Sequence, residues 1–175
     1  MTGFRASLLV VAVIWLAGCA AVETTPTEFR SGFTPTKQRI YGYDIAMSRS
    51  YAPRLNSNNL DLVNSRVNEI PYRSDPRREW IAPSDFWNVG GDCEDYAMAK
   101  AAELRAAGRD GLWLAVLVNG PAGEAHAVLV AEDAGKMITL DNRESKLVPW
   151  SVTAARYEPA YIISVGTGEV FRSRH

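Results

Sequence analysis

A chain of 175 residues, 47% hydrophobic and 22% charged, falls in the ordinary globular range and is long enough for one domain with a core of its own. Its formal net charge of -1 points away from nucleic acid and polyanionic surfaces. Five Trp and seven Tyr suit either a compact core or an aromatic-lined groove, and no internal repeat or low-complexity block interrupts the sequence.

The N-terminus reads as an export signal. Arg5 precedes an apolar run from Leu8 to Ala17, followed by the small residues that lead into Cys19. The apolar or small stretch from Leu8 to Val22 is about fifteen residues, short of the roughly 18 to 20 that a spanning helix needs. "LAGC" at 16 to 19 resembles a bacterial lipobox, which implies removal of residues 1–18 and acylation of Cys19; Ala20 in place of Asp is similar to lipoproteins sorted to the outer membrane. The expected location is the periplasmic face of the outer membrane, with a lipid anchor at Cys19; an ordinary signal peptide containing a cysteine is the alternative. Residues 19–36, rich in Thr and Pro, read as an extended tether, and residues 37–175 as a single domain.

Within that domain, "NNLDLVNSRVNEI" (58 to 70) carries Leu60, Val63, Val67 and Ile70 at helical spacing, and Pro71 stops it. "PSDFWNV" predicts a short helical turn capped by Ser84 or Asp85. After the break at Gly90-Gly91, a longer helix is expected with Asp92 as N-cap, Cys93 first, an apolar stripe of Ala97, Ala101 and Leu104, and Gly108 as its stop. Its four alanines suit close packing on a sheet. Downstream the period becomes two: 112–120, 125–133, 135–142 and 160–166 read as antiparallel strands separated by Gly-containing turns. The expected class is α+β, one helix on an antiparallel sheet.

Register adds chemistry. A two-residue loop at Ala134-Gly135 pairs Asp133 with Lys136 and Val128 with Asp141, which makes His126 the diagonal neighbour of Asp141 on one face. A slip of one residue would separate them. The chain has two histidines, and His175 is the last residue, so Cys-His chemistry would have to use His126. There are also two cysteines; with Cys19 acylated, Cys93 has no partner for a disulfide and is either a small core residue or a reactive thiol.

Taken together, "VNEIPYRSD" (67 to 75), "APSDFWNVGGDCEDYAMAK" (82 to 100), "HAVLV" (126 to 130) and "LDN" (140 to 142) resemble the bacterial transglutaminase-like cysteine proteinases, including the periplasmic LapG-type proteases that release large adhesins from the cell surface. The resemblance implies a papain-like or transglutaminase-like fold and a triad: Cys93 as nucleophile, His126 as general base and acid, Asp141 orienting the imidazole. It implies a protein substrate in the cell envelope and, for some members, control by an inner-membrane cyclic-di-GMP receptor.

Asp92, Glu94 and Asp95 crowd the thiol with negative charge. Carboxylates in a first helical turn suit the helix dipole and can simply cap it, yet three in four residues can also supply oxygen ligands to Ca²⁺. No EF-hand pattern is present; the calcium site, with Asp92 and Glu94 at the matching positions and Asp95 beside them, is what the resemblance implies. Three functions follow: a calcium-dependent cysteine endopeptidase, a transglutaminase or amidase using the same triad, and a lipid-anchored binding module without catalysis.

Overall fold

The computed structural model describes residues 22–38, 40, 43, 47, 51–75 and 79–174. The signal segment and Cys19 lie outside them. Among the described residues, no helix is long and apolar enough to cross a membrane.

A seven-stranded, wholly antiparallel sheet organises the chain. Its strands are β1 (Phe33–Pro35), β2 (Leu112–Val118), β3 (His126–Asp133), β4 (Lys136–Leu140), β5 (Val148–Pro149), β6 (Glu158–Ser164) and β7 (Val170–Ser173). They lie in the order β1-β7-β6-β2-β3-β4-β5. The helices are α1 (Pro26–Ser31), α2 (Leu60–Asn68), α3 (Pro83–Val89), α4 (Cys93–Ala106) and α5 (Trp150–Arg156). The α+β class expected from the sequence is the one observed.

The hairpin register follows the turn. Asp133 pairs with Lys136 and Leu129 with Leu140, as a two-residue loop at Ala134-Gly135 requires. Ala134 and Gly135 both take positive φ, at 47° and 77°, the left-handed backbone of a tight hairpin turn.

The sheet is covered on both faces, so the picture of one helix on a sheet is incomplete. On one face α4 packs with α2 and α3 over Leu112, Leu114, Leu129, Leu140 and Ile163. On the other, Phe29 and Trp150, from α1 and α5, cover Ala115, Leu117, Val128, Val130 and Ile162. Two covered faces explain why six consecutive residues of β3, His126 to Ala131, are buried where a half-exposed strand would alternate.

Residues 26 to 35 are therefore not a tether. Thr25 caps α1 through a reciprocal pair of bonds with Glu28, Phe29 is 2% exposed among Phe33, Trp113 and Trp150, and β1 pairs with β7 at the sheet edge. The Thr and Pro content concealed the two phenylalanines that draw the segment onto the sheet. The contacts begin earlier still, with Met137 N donating to Thr24 O (2.8 Å) and Lys136 paired with Glu23.

α4 is buried along most of its length, from Asp95 to Leu104, rather than along a single stripe. Alanines at 97, 99, 101 and 102 let it approach the sheet and α2 together. It ends before Gly108, whose φ of 82° suits glycine. The predicted cap of α3 differs: Ala82 is its N-cap, with Pro83 starting the helix and no side-chain cap bond from Ser84 or Asp85.

If residues 26–35 belong to the core, Phe29→Ala lowers stability by about 3–5 kcal/mol in denaturant unfolding; a tether residue would leave the midpoint unchanged.

Candidate active site

The site forms where α4 begins, β3 begins and β4 ends. Gly90 places the chain there. Its φ is 71° and a Cβ would overlap the carbonyl oxygen of Pro71, so glycine alone fits both the conformation and the space. Gly91 bridges to Tyr72 and accepts a bond from Arg73 N (2.9 Å), fixing the turn against residues 71 to 73. The helix then starts with Asp92 as its N-cap.

The three acidic residues beside Cys93 divide by partner. Asp95 is structural in its contacts: Oδ1 accepts Ile81 N (2.8 Å) and Oδ2 accepts Asp92 N (3.1 Å). Burial raises its pKa to about 6 despite these donors. Asp92 and Glu94 are different. Together with Cys93 they offer ligand atoms within 4.8 Å of one another, and among the described residues Asp92 Oδ1 is buried without a hydrogen-bond partner. Burial, then the bond and charge of Glu94, raise the Asp92 pKa to about 8.

Cys93 itself is partly buried and donates to Glu94 Oε2 (3.2 Å). Burial and the neighbouring Glu94 charge push its thiol up to about 12. One contact acts the other way: the main-chain N–H of Ala127 donates toward the sulfur and favours the thiolate. Ala127 follows His126, so this contact seats the thiol beside the start of β3.

His126 is 1% exposed, and its Nε2 lies 2.8 Å from Asp141 Oδ1. The diagonal pairing expected from register is thus realised. Asp141 is held from several sides: Oδ1 also accepts Arg143 N (2.8 Å), and Asn68 Nδ2 donates to its carbonyl (2.9 Å). Burial alone would raise the Asp141 pKa, but the bond and charge of His126, the Arg143 N–H and the Lys100 charge bring it below the usual carboxylate value. An ionised Asp141 only accepts, so His126 Nε2 carries a proton, and it is in the neutral imidazole that Nδ1 offers a lone pair. Among the described residues Nδ1 has no hydrogen-bond partner.

Supporting groups were not evident from sequence. The Tyr157 ring packs on His126 with centroids 5.4 Å apart, and Arg143 ties that tyrosine to Glu124 (3.0 and 2.9 Å). No periodic pattern marks Tyr157. Asn68 lies in the quoted "VNEI", yet nothing there signals a partner 73 residues on. Trp80, Trp87 and Tyr96 belong with the core; the Tyr96 hydroxyl bonds the carbonyl of Ile70.

The profile of the bacterial transglutaminase-like cysteine proteinases (BTLCP) matches residues 41–161, more than two thirds of the chain. The chain belongs to this family. It is a cysteine peptidase, and the solved structures it is similar to share its fold. Legionella pneumophila LapG is 24% identical over 75% of this chain and 76% of its own, with a TM-score of 0.56. Calcium-bound LapG is 24% identical over 76% and 86%, with a TM-score of 0.57. EGTA-treated LapG is 25% identical over 70% of each chain, with a TM-score of 0.53. No curated protein sequence matches the proteinase.

A Cβ at Gly91 would overlap the Asp95 side chain. Gly91→Ala is therefore expected to displace that carboxylate from its two backbone donors. Stability should fall by about 1–3 kcal/mol in urea unfolding, with peptidase activity falling as well.

Proposed function

We propose that this peptidase cleaves an exported envelope protein, such as a surface adhesin, with Cys93, His126 and Asp141 as its triad and Ca²⁺ held at Asp92 and Glu94. One observation carries the triad: a buried imidazole bonds a carboxylate through Nε2 and keeps Nδ1 free, while the next residue's N–H rests against a thiol.

The chemistry follows from these positions. His126 Nδ1 removes the thiol proton, and the sulfur attacks the scissile carbonyl carbon. As the tetrahedral intermediate collapses, His126 returns the proton to the leaving amine, and a thioester to Cys93 remains. Water activated by the same nitrogen then releases the acid and restores the thiol. Asp141 fixes the tautomer and stabilises the imidazolium at each stage. Backbone N–H groups at the start of α4, that of Cys93 among them, are suited to receive the oxyanion.

The donor set suits Ca²⁺. Asp92 and Glu94 provide hard oxygens, one of them a buried carboxylate oxygen with no other partner among the described residues, whereas the soft Cys93 sulfur is no ligand for this ion. Asp95 is committed to two backbone N–H groups, so it supports the site by holding the Asp92 main chain. When bound, the ion supplies positive charge that offsets the two carboxylates beside the thiol. Solved calcium-bound and EGTA-treated forms of LapG favour the same reading.

The lipobox at 16–19 supports anchoring through Cys19 on the periplasmic face of the outer membrane. A protein regulator such as an inner-membrane receptor fits the LapG-type resemblance.

The test incubates outer-membrane proteins with wild type or Cys93→Ala and compares peptide maps. New cleavage products with wild type alone are expected; identical maps defeat the protease reading. Asp141→Asn should lower turnover roughly 10²-fold or more. For the ion, calcorimetric titration of wild type with Ca²⁺ should show saturable binding that Asp92→Asn weakens by roughly tenfold or more. Unchanged activity in excess EGTA, with calcium verified absent, would sink the metal assignment.

A further inference from the structure

Lys100 is an unexpected residue for the middle of α4. It is 0% exposed, with alanines at 99, 101 and 102 beside it, and it lies seven residues, about two turns, beyond Cys93. Burying an ammonium without a close counter-ion costs several kcal/mol as a rule, so such a residue needs an account. Its Nζ donates to the carbonyl of Leu140 at 3.4 Å, the residue preceding Asp141.

We infer that Lys100 is a positioning residue for the triad: its buried ammonium, set behind the Leu140-Asp141 peptide, keeps the Asp141 carboxylate ionised and holds the end of β4 where that carboxylate meets His126. This rests on the triad proposed above.

Three observations carry it. The hydrogen bond is to the chain segment that presents Asp141, so α4 braces the acid of the triad as well as carrying its thiol. The charges of Lys100 and Asp141 each favour the ionised form of the other. The other groups around Asp141 act from different sides: α2 brings the amides Asn64 and Asn68, which bond the 141–144 turn, β3 brings His126, whose bond and charge favour the carboxylate more strongly than Lys100 does, and Arg143 contributes its main-chain N–H while its guanidinium, also within electrostatic reach of Asp141, is paired with Glu124 and Tyr157; Lys100 adds the buried cation on the α4 side. Burial lowers the Lys100 pKa to about 7, with the Asp141 charge opposing the shift. The ammonium is thus populated below neutrality, the range in which a buried carboxylate would otherwise take up a proton.

The sign of the effect is fixed. Removing a positive charge makes protonation of Asp141 easier, so its midpoint rises. Removing a buried charge in favour of an apolar side chain of similar length tends also to preserve or raise stability. Lys100→Met should therefore keep or raise the melting temperature while lowering kcat/KM roughly tenfold or more, a combination that lost packing does not produce.

The experiment uses the full-length peptidase at saturating Ca²⁺, as wild type, Lys100→Met, Lys100→Gln and His126→Gln. The low-pH step in the His126 imidazole NMR signals, which reports protonation of its partner Asp141, is followed alongside the kcat/KM pH profile. His126→Gln assigns the signals, because His175 is the only other histidine. The expected result is a step about one pH unit higher in both Lys100 variants, with the acid limb of kcat/KM moving alike. A step that stays in place, activity lost only in proportion to melting temperature, or failure of both Lys100 variants to fold would overturn the positioning role. If His126→Gln retains activity, the triad itself fails whatever the Lys100 variants do.

Discussion

The pairing of β3 with β4 is the constraint on which the site depends. A histidine at the first residue of one strand and an aspartate just past the end of the next are brought together by a two-residue loop at the far end of the hairpin. Alternation is strict in a ladder, so a one-residue slip would turn the imidazole and carboxylate to opposite faces. The left-handed Ala134-Gly135 turn thus fixes the geometry of a bond formed at the opposite end of the strands. Apolar layers on both faces hold the register, because a slipped strand would also misplace Val128, Leu129 and Val130.

The start of α4 combines demands that oppose one another. A helix N-terminus and the Ala127 N–H favour a thiolate, while burial and Glu94 disfavour it. The acidic cluster resolves when its members are separated by contact. Asp95 acts on the backbone, and its two bonds to N–H groups locate the turn; Asp92 and Glu94 are left facing the thiol. Gly90 and Gly91 are required because Pro71 and Asp95 occupy the space that side chains there would fill. The sharp turn and the helix cap are one packing arrangement.

Much of this was legible in the sequence where short-range rules govern. The hairpin register followed from one loop length, the start and stop of α4 from Asp92 and Gly108, and the family from "GGDCEDYA" with "HAVL" and "LDN". Long-range placement was hidden. Residues 26–35 looked like linker because Thr and Pro dominate, although two phenylalanines there fill a hydrophobic layer that exists only once the sheet has formed. No local pattern marks Lys100, because its burial depends on α4 meeting α2 and the end of β4. Tyr157 and Asn68 act across the fold, with no local pattern to mark them.

The ordered N-terminal segment has a consequence for reach. Glu23 and Thr24 already contact the β3–β4 turn region through Lys136 and Met137. With a lipid on Cys19, as proposed, residues 19 to 22 alone would separate the acyl anchor from the folded body, a leash of at most roughly 15 Å when fully extended. An 18-residue tether would allow about four times that distance. The domain would then patrol a thin layer against the bilayer, and a substrate would have to bring its scissile segment down to that layer.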